Sequence, residues 1–319
     1  MMLQLSKFFR IDPSKNVKLL FYIKGITTLL TPKIFFTLQR EKLLQEAYKD
    51  TTLQKRLNYY NKTTKFQTPP EAKNYNQFLK EKKKTYFFDL LEVVKYFPSS
   101  FKFWYVFGDV TEVPPHPAFV KSRPISDSNE NSVVLKLNKI RHFIFVNDTI
   151  PFEEKKDQIV WRGKCYTPHR QKFVQQFYNH PMCNIGQTNT KGDLSVPWQK
   201  EKLSLKAQLQ YKFLLAIEGN DVASNLKWAM SSSSLVFMAK PKYETWFMEG
   251  TLQPNYHYVE LKDDYSDLQK KLEYYLQHPE EAKKIIHNAN NYTKQFQDLR
   301  REKLLSLLVV DKYYKNSLT

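Results

Sequence analysis

Residues 211–237, YKFLLAIEGNDVASNLKWAMSSSSLVF, predict a buried strand, a tight turn, a helix and a second strand. The first seven residues are mostly apolar and of strand length, which suits a parallel sheet. Gly219 permits the sharp reversal between strand and helix. Asn220 or Asp221 can cap the helix, whose free N–H groups would then face the carboxyl edge of the sheet. The pattern predicts either a phosphate site at this edge or an ordinary βαβ unit without a ligand.

The charge of the chain is strongly positive and unevenly distributed. The formal net charge is +18, and residues 1–86 hold 18 Lys and Arg against 6 Asp and Glu, a local excess of +12. Such an excess predicts a polyanionic partner: nucleic acid, an anionic membrane surface or a phosphorylated substrate. Basic and aromatic residues are interleaved in a helical pattern over residues 1–60. That pattern can lie on a membrane surface or pack on the chain's own domain.

Cysteine usage and hydropathy indicate the compartment. The two cysteines, Cys165 and Cys183, do not suggest a disulfide framework, so a reducing compartment is the simpler interpretation. No stretch reaches the ~18 uninterrupted apolar residues of a membrane span. Charged residues occur too early and too often near the N-terminus for a signal peptide. We therefore expect a cytoplasmic protein that can associate peripherally with the inner face of the membrane.

Strands alternate with helices in two segments of the chain. Strands are predicted over 101–107, 141–147, 159–163, 211–217, 235–238 and 257–261, and helices over 76–96, 222–230, 265–277, 279–296 and 297–310. This order predicts an α/β fold in which two domains, divided near residues 153–157, face each other across a cleft. Ligands of such sheets bind outside the carboxyl ends of the strands, where Asp109, Arg162 and the turn at 218–221 fall.

Several motifs, taken in order, carry a family resemblance. They are WRGKCYTPHR at 161–170, the stretch 211–237, and Trp246 followed by PNYHYVELKDDYSDLQKKL at 254–272. Over residues 101 to about 295 the chain resembles glycosyltransferase family 90, which includes lipopolysaccharide-modifying transferases, capsule xylosyltransferases and protein O-glucosyltransferases.

The resemblance implies a GT-B architecture of two Rossmann-like domains, in which the C-terminal domain holds a UDP-sugar. The expected parts are an acceptor-side domain with a basic helical extension over 1–155, a nucleotide-sugar domain over 156–295 and a C-terminal helix over 296–319. The implied reaction transfers the sugar with inversion at the anomeric carbon and needs neither a metal nor a cofactor.

The resemblance also assigns roles to individual residues. Asp109, in GDVTEVP, matches the catalytic base, and a carboxylate at the mouth of a cleft can take the acceptor hydroxyl's proton. Arg162 matches the arginine that binds the diphosphate, whose oxygens suit its fork of donors. Where the animal enzymes carry an arginine, this chain has Asn225, and Lys227 can supply that charge. The residues assigned to donor binding are Arg162, Gly163, Glu218, Gly219, Asn220, Asp221, Val222, Ala223, Ser224, Asn225 and Lys227.

Two further features favour structural roles. His257 lies in a family motif, but a histidine there is more often structural than catalytic. Asp263, Asp264 and Asp267 form an acidic cluster that we interpret as turn and helix-capping residues rather than as a metal site.

The predicted function is transfer of glucose or a related hexose or pentose from a UDP-sugar to a lipopolysaccharide-core, lipid-linked or other glycan acceptor. A first alternative is a nucleic-acid-binding protein, because single-strand binders combine basic and aromatic residues. No recognised nucleic-acid module supports it, so we expect no nucleic-acid partner. A second alternative is an inactive relative that acts as a scaffold, against which Asp109 and Arg162 argue.

Overall fold

The computed structural model describes residues 18–318, in which strands and helices alternate along much of the chain. The strands are β1 Phe66–Gln67, β2 Tyr105–Val106, β3 Ala118–Val120, β4 Ser122–Pro124, β5 Ser132–Val134, β6 Lys156–Gly163, β7 Cys183–Gln187, β8 Tyr211–Leu215, β9 Leu235–Ala239, β10 Tyr243–Thr245, β11 Val259–Leu261 and β12 Ser317–Leu318. The helices are α1 Lys18–Leu30, α2 Ile34–Lys49, α3 Thr51–Tyr60, α4 Tyr75–Phe78, α5 Thr85–Val94, α6 Lys139–His142, α7 Pro168–Phe177, α8 Leu205–Gln208, α9 Leu226–Met230, α10 Leu268–Gln277, α11 Pro279–Lys294 and α12 Leu299–Asn316.

Of the two parallel sheets with three or more strands within residues 18–318, the larger has five strands in the order β11-β9-β8-β6-β7. The predicted strands at 211–217 and 235–238 are its central strands β8 and β9. A smaller parallel sheet, β2-β3-β5, precedes it in the chain. Parallel strands joined by helical crossovers define an α/β fold, and this prediction is confirmed.

Alternating residues of the larger sheet enter two different cores. In β8, Leu214 packs in a core that also contains the N-terminal helices and the smaller sheet. Its neighbours Phe213 and Leu215 face the opposite core, which α7, α10 and α11 cover. Because both faces are covered, the strands are largely apolar on both sides, as the mostly apolar run at 211–217 predicts.

Helix α12 returns to the N-terminal half of the chain. It packs on α2, α3 and α5, and its first-turn Glu302 forms ion pairs with Arg56 at 2.7 Å and Lys136 at 2.8 Å. The strand after it, β12, pairs in parallel with β1. The C-terminal helix predicted over 297–310 therefore exists, is longer than predicted, and completes the N-terminal core.

Helices α1 and α2 lie at the start of the described residues and meet at an angle of 101°. No single helix within 18–318 is long and apolar enough to cross a membrane, although this bent pair passes the same test when its two helices are taken together. The interleaved basic and aromatic residues of segment 1–17 lie outside the described residues.

Two local predictions are wrong. Residues 141–147 form no strand: Asn138 adopts the left-handed conformation, and the Lys139 N–H donates to Asp89 Oδ2 at 3.0 Å, so that α6 begins there. The helix predicted over 76–96 is interrupted between α4 and α5, where the lysine run at 80–84 forms a turn. Strand β7 has no counterpart among the predicted strands.

Candidate active site

A pocket of about 400 Å³ lies at the carboxyl edge of the larger sheet. Its walls come from the segments that follow β6, β8, β9 and β11. Its lining residues are Thr167, Pro168, His169, Ala216, Glu218, Gly219, Asn220, Val222, Ala223, Leu226, Met238, Ala239, Lys240, Pro241, Lys242, Tyr243, Glu249, Asp263 and Tyr265. Both the volume and the position are those of a small-ligand site in an open parallel sheet.

The turn after β8 forms one wall of this pocket, and Arg170 holds the turn in place. The Arg170 guanidinium donates to Ile217 O at 2.6 Å and to Glu218 O at 2.9 Å, and it lies over the Trp161 ring. A side chain at position 219 would begin 3.3 Å from this guanidinium, so Gly219 lets the turn approach it closely. Arg170 therefore fixes the conformation of the turn through hydrogen bonds to its backbone carbonyls.

The helix after this turn begins later than predicted. Helix α9 starts at Leu226, whereas the pattern predicts a start at 222, and no side chain caps its first turn. Asn220 and Asp221 make other contacts instead. Because α9 is only one turn long, its dipole is small, and the sequence argument for a phosphate at its N-terminus loses most of its force.

Asp109 comes from the smaller sheet and reaches this same turn. It follows β2 and Gly108, whose φ of +114° is rarely accessible to other residues. Asp109 Oδ1 accepts a hydrogen bond from Lys121 Nζ at 2.5 Å, and its Oδ2 accepts one from the Asn220 amide at 3.2 Å. The structure thus places Asp109 beside the predicted nucleotide-binding turn, although Asn220 in that turn follows Asp109 by 111 positions in the sequence.

Lys121 links Asp109 to the turn through a second carboxylate. Its Nζ also lies 2.6 Å from Asp221 Oδ2 in a second ion pair. The Lys121 side chain is 1% exposed and that of Asp221 is 5% exposed, whereas Asp109 is 29% exposed. Of the two carboxylates that Lys121 joins, Asp109 is the one that solvent and a substrate can reach.

Several groups hold Asp109 in its charged form. Partial burial acts to raise the pKa of Asp109, but the hydrogen bond and charge of Lys121 act against it, together with the Asn220 amide and the charge of Arg141. The net result is a pKa below the ordinary value, so Asp109 is ionised at neutral pH. An ionised, partly exposed carboxylate that contacts the pocket-lining Asn220 can accept a proton.

Glu218 is the second acid of the pocket, and its environment acts in the opposite direction. Burial raises the pKa of Glu218 to about 7, although the backbone N–H groups of Lys242 and Tyr243 donate to its carboxylate and lower the value in part. Glu218 therefore titrates near neutral pH, where it can donate a hydrogen bond to a ligand hydroxyl or accept one from it.

Arg162 does not reach the pocket. Its guanidinium donates to Asn184 O and Asn184 Oδ1, both at 2.7 Å, and to Trp161 O and Glu201 O. On strand β6 it alternates with Trp161, which faces the opposite core, so the two side chains point to opposite sides. Arg162 makes no contact with the pocket that would support its predicted role in diphosphate binding.

The remaining assigned residues divide into two groups. Those that line the pocket are Glu218, Gly219, Asn220, Val222 and Ala223. Those that lie outside it are Arg162, Gly163, Asp221, Ser224, Asn225 and Lys227. Lys227 is buried in an ion pair with Glu249 at 2.5 Å, and the Asn225 amide donates to Leu215 O at 2.8 Å. Lys227 therefore supplies no free charge to the pocket.

Comparison with known proteins identifies the family. The model of the family described as Glycosyl transferase family 90 matches residues 132–310. The chain belongs to glycosyltransferase family 90. O-glucosyltransferase LpsA of Dichelobacter nodosus is 41% identical over 303 residues, which cover 93% of this chain and 95% of that protein.

Animal members of family 90 align over shorter segments. Protein O-glucosyltransferase 2 of Danio rerio is 31% identical over 140 residues, 42% of this chain and 28% of its own length. Protein O-glucosyltransferase 3 of Homo sapiens is 36% identical over 95 residues, 27% of this chain and 18% of its own length. The recognition from sequence is therefore confirmed, and the protein is a glycosyltransferase.

Two motif residues of the family have structural roles in this chain. Trp246 is fully buried, stacks on Tyr60 with ring centroids 3.9 Å apart, and donates to Glu302 Oε2 at 2.6 Å. His257 Nδ1 accepts from the Gln253 N–H at 3.0 Å, which agrees with the structural role expected for it.

The acidic cluster makes turn contacts as expected, but Asp267, at the start of α10, does not cap that helix with its side chain. Asp264 accepts from Ser266 N and Asp267 from Lys262 N, as turn residues do. Within residues 18–318, no group of three or more His, Cys, Asp or Glu is arranged to hold a metal ion.

Sequence reasoning missed some of the charged residues around the pocket. Lys240 and Lys242 follow directly after β9, and both are exposed. Lys242 pairs only loosely with Asp263, at 3.2 Å between two exposed side chains. The rule that singled out Asp109, a polar residue just after a buried strand, also applies to Lys240. Lys121 had no such signal, because its two carboxylate partners are distant in sequence.

Proposed function

We propose that this family 90 member transfers a sugar, glucose or a close relative, from a UDP-sugar to a hydroxyl group of a glycan, with inversion at the anomeric carbon. The observation that carries the proposal is the contact between Asp109 and Asn220. This contact holds an ionised carboxylate against Asn220, which lines a pocket of suitable size. Three relatives are named as O-glucosyltransferases, which supports glucose as the first sugar to test.

In this proposal the pocket holds the donor. The nucleotide lies against the turn at 218–223, where Glu218 can bind a ribose or sugar hydroxyl. The exposed ammonium groups of Lys240 and Lys242 offset the charge of the diphosphate, a role for which Arg162 is not placed. These cations supply the electrostatic part of catalysis, so we expect the reaction to proceed without a divalent metal.

Asp109 acts as the general base. Its carboxylate takes the proton of the acceptor hydroxyl as that oxygen attacks the anomeric carbon, and the bond to UDP breaks on the opposite face. The lowered pKa of Asp109 keeps the base ionised before the acceptor arrives. The proton leaves Asp109 to solvent through its exposed edge after transfer.

The proposed architecture is GT-B, with domains that divide near residue 155. The smaller parallel sheet contributes Asp109 and the larger sheet, which begins at Lys156, contributes the pocket. Two carboxyl edges that meet at the Asp109–Asn220 contact are what this architecture requires. Helix α12 then belongs in space to the N-terminal domain. The proposed acceptor is the lipopolysaccharide core, because the family resemblance includes lipopolysaccharide-modifying transferases.

The deciding experiment compares Asp109→Asn with the wild type. UDP release is followed with a panel of UDP-sugars and a lipopolysaccharide-core acceptor, and UDP affinity by calorimetry. Loss of the base should lower kcat by about 10²–10⁴-fold while UDP affinity stays close to that of the wild type. The matched control is Asp157→Asn, an exposed carboxylate far from the pocket that pairs with Lys212. Wild-type turnover in a folded Asp109→Asn protein would remove Asp109 from the mechanism.

Metal independence is tested separately. Activity should persist after exhaustive treatment with EDTA. A requirement for added Mg²⁺ or Mn²⁺ would show that Lys240 and Lys242 do not suffice to offset the charge of the leaving diphosphate.

A further inference from the structure

Helix α1 has two apolar faces, and residues 18–318 cover one of them. On the covered face, Gly25 is buried against Phe88 of α5, and the rings of Phe21 and Tyr22 meet Phe88 edge-on at 6.4 and 5.8 Å. Lys95 fixes the end of the helix, since its ammonium donates to the carbonyls of Leu29 and Thr31 at 3.1 and 2.5 Å. The helix is therefore firmly attached to the protein body.

The opposite face of α1 and the first turns of α2 expose large apolar side chains to solvent. Leu30 is 76% exposed and Leu38 is 73% exposed. The whole set, which we name the α1–α2 face, consists of Leu19, Leu20, Ile23, Ile26, Leu30, Ile34, Phe35 and Leu38. Single exposed leucines are common on soluble proteins, but a contiguous group on two adjoining helices marks an interaction surface.

The charged residues within this segment have one sign. Residues 18–40 contain Lys18, Lys24, Lys33 and Arg40 and no Asp or Glu. The side chain of Lys24 is 71% exposed even though it pairs with Glu92. Lysines beside an exposed apolar stripe are the pattern by which interfacial helices bind anionic bilayers.

We propose that the α1–α2 face docks on an anionic lipid bilayer, with its apolar side chains between the acyl chains and its lysines at the lipid phosphates. Charge favours this occupant over a second copy of the chain. Two such faces packed together would bring the basic residues of 18–40 into contact, and the acid beside them, Glu92, already pairs with Lys24 and Lys139. The 101° bend lets both helices present apolar residues at one corner of the molecule without spanning the bilayer.

The docked face is connected to the proposed catalytic base through α5. Phe88 lies under α1, and Tyr86, two residues earlier, packs on Phe107 at 5.4 Å, two positions before Asp109. Docking would thus fix the orientation of the Asp109 edge relative to the lipid surface. The docking itself does not depend on the proposed chemistry, so its test uses binding and no activity.

The first test is co-sedimentation of the full chain with vesicles of phosphatidylcholine alone or mixed with phosphatidylglycerol. The variant Leu19→Gln/Ile23→Gln/Leu30→Gln/Leu38→Gln should bind the anionic vesicles at least about tenfold more weakly than the wild type. The matched control Leu194→Gln/Leu299→Gln changes exposed leucines elsewhere and should bind like the wild type. Thermal unfolding confirms that both variants fold.

Charge is tested with Lys18→Gln/Lys24→Gln, which should weaken binding about fivefold per charge at low salt. The control is Lys270→Gln/Lys284→Gln, two exposed lysines on α10 and α11. Wild-type binding should fall as the salt concentration approaches about 1 M, where the Debye length is near 3 Å.

Insertion is tested with an environment-sensitive dye on Leu30→Cys. The native Cys165 and Cys183 are buried, so they label slowly. Dye emission should shift to the blue with anionic vesicles at position 30 and stay unchanged on the control Leu299→Cys. Equal vesicle binding by the wild type and the four-glutamine variant would overturn the proposal. So would a wild-type dimer in solution that this variant converts to monomer.

Discussion

The ion pairs of Lys121 provide a prediction that links stability to catalysis. Lys121→Met removes the buried cation between Asp109 and Asp221 and leaves the carboxylate of Asp221, 5% exposed, without a partner. Removal of one partner from a buried pair typically costs about 3–5 kcal/mol of unfolding free energy. Urea denaturation at neutral pH measures this loss, and Lys270→Met, on the exposed surface of α10, is the control.

A double variant separates the two carboxylates. Lys121→Met/Asp221→Asn removes the buried charge that the single variant leaves unpaired, so most of the lost stability should return. The pKa of Asp109 should be higher than in the wild type in both variants, since its cation is absent from both. The acidic limb of the kcat/KM profile should therefore move to higher pH in both.

The pH dependence of stability follows with a definite sign. Because the pKa of Asp109 is lowered in the folded protein, its contribution is complete above the unfolded value of about 3.9 and is lost as the pH falls through the lowered value. In Lys121→Met this acid-dependent loss should be smaller. An unchanged urea midpoint together with an unchanged acidic limb would refute the assignment of Lys121 as the group that holds Asp109 charged.

Three further predictions concern groups described above. Glu218→Gln should stabilise the protein on the order of 2 kcal/mol at pH 8 and little at pH 4.5, because a carboxylate with a pKa raised to about 7 costs stability as the pH rises from 4.5 to 7. Arg123→Met should cost about 3–5 kcal/mol, since it leaves Glu244, paired at 2.7 Å, buried without its cation. Trp246→Ala should cost about 3–5 kcal/mol, because it empties a fully buried site.

Each of these predictions has a result that would contradict it. For Glu218→Gln, that result is a gain in urea midpoint that does not grow between pH 4.5 and pH 8. For Arg123→Met, it is a variant as stable as the wild type, together with a double variant Arg123→Met/Glu244→Gln that is no more stable than Arg123→Met alone. For Trp246→Ala, whose unfolding is followed by circular dichroism, it is a loss no larger than that of an exposed control such as Tyr256→Ala.

The parts that could be predicted from sequence are those fixed by local pattern. Strands β8 and β9 follow from apolar runs of strand length, and α11 begins at Pro279 as its N-terminal proline predicts. The start of α9 could not be predicted. Asp221 is a good helix-capping residue by type, but Lys121, a hundred positions earlier, binds its carboxylate in the folded chain.

The predicted site shows the same division. Asp109 could be predicted because it is a polar residue directly after a strand. The structure shows its contact with Asn220 in the turn at 218–221. The direction of Arg162 depended on which side of β6 faces the pocket, and a strand buried on both faces gives no sequence signal for that choice. The contacts of Arg162 with Asn184 on β7 follow from a strand that the sequence analysis missed.

The return of α12 to the N-terminal half has a consequence for synthesis on the ribosome. Its side chains from Leu304 to Val310 are buried among helices that are translated some 250 residues earlier. Until that helix emerges, α2, α3 and α5 expose the apolar groove that it will fill. The N-terminal half therefore cannot reach its native packing in the order of translation, and during elongation it offers a binding surface to chaperones.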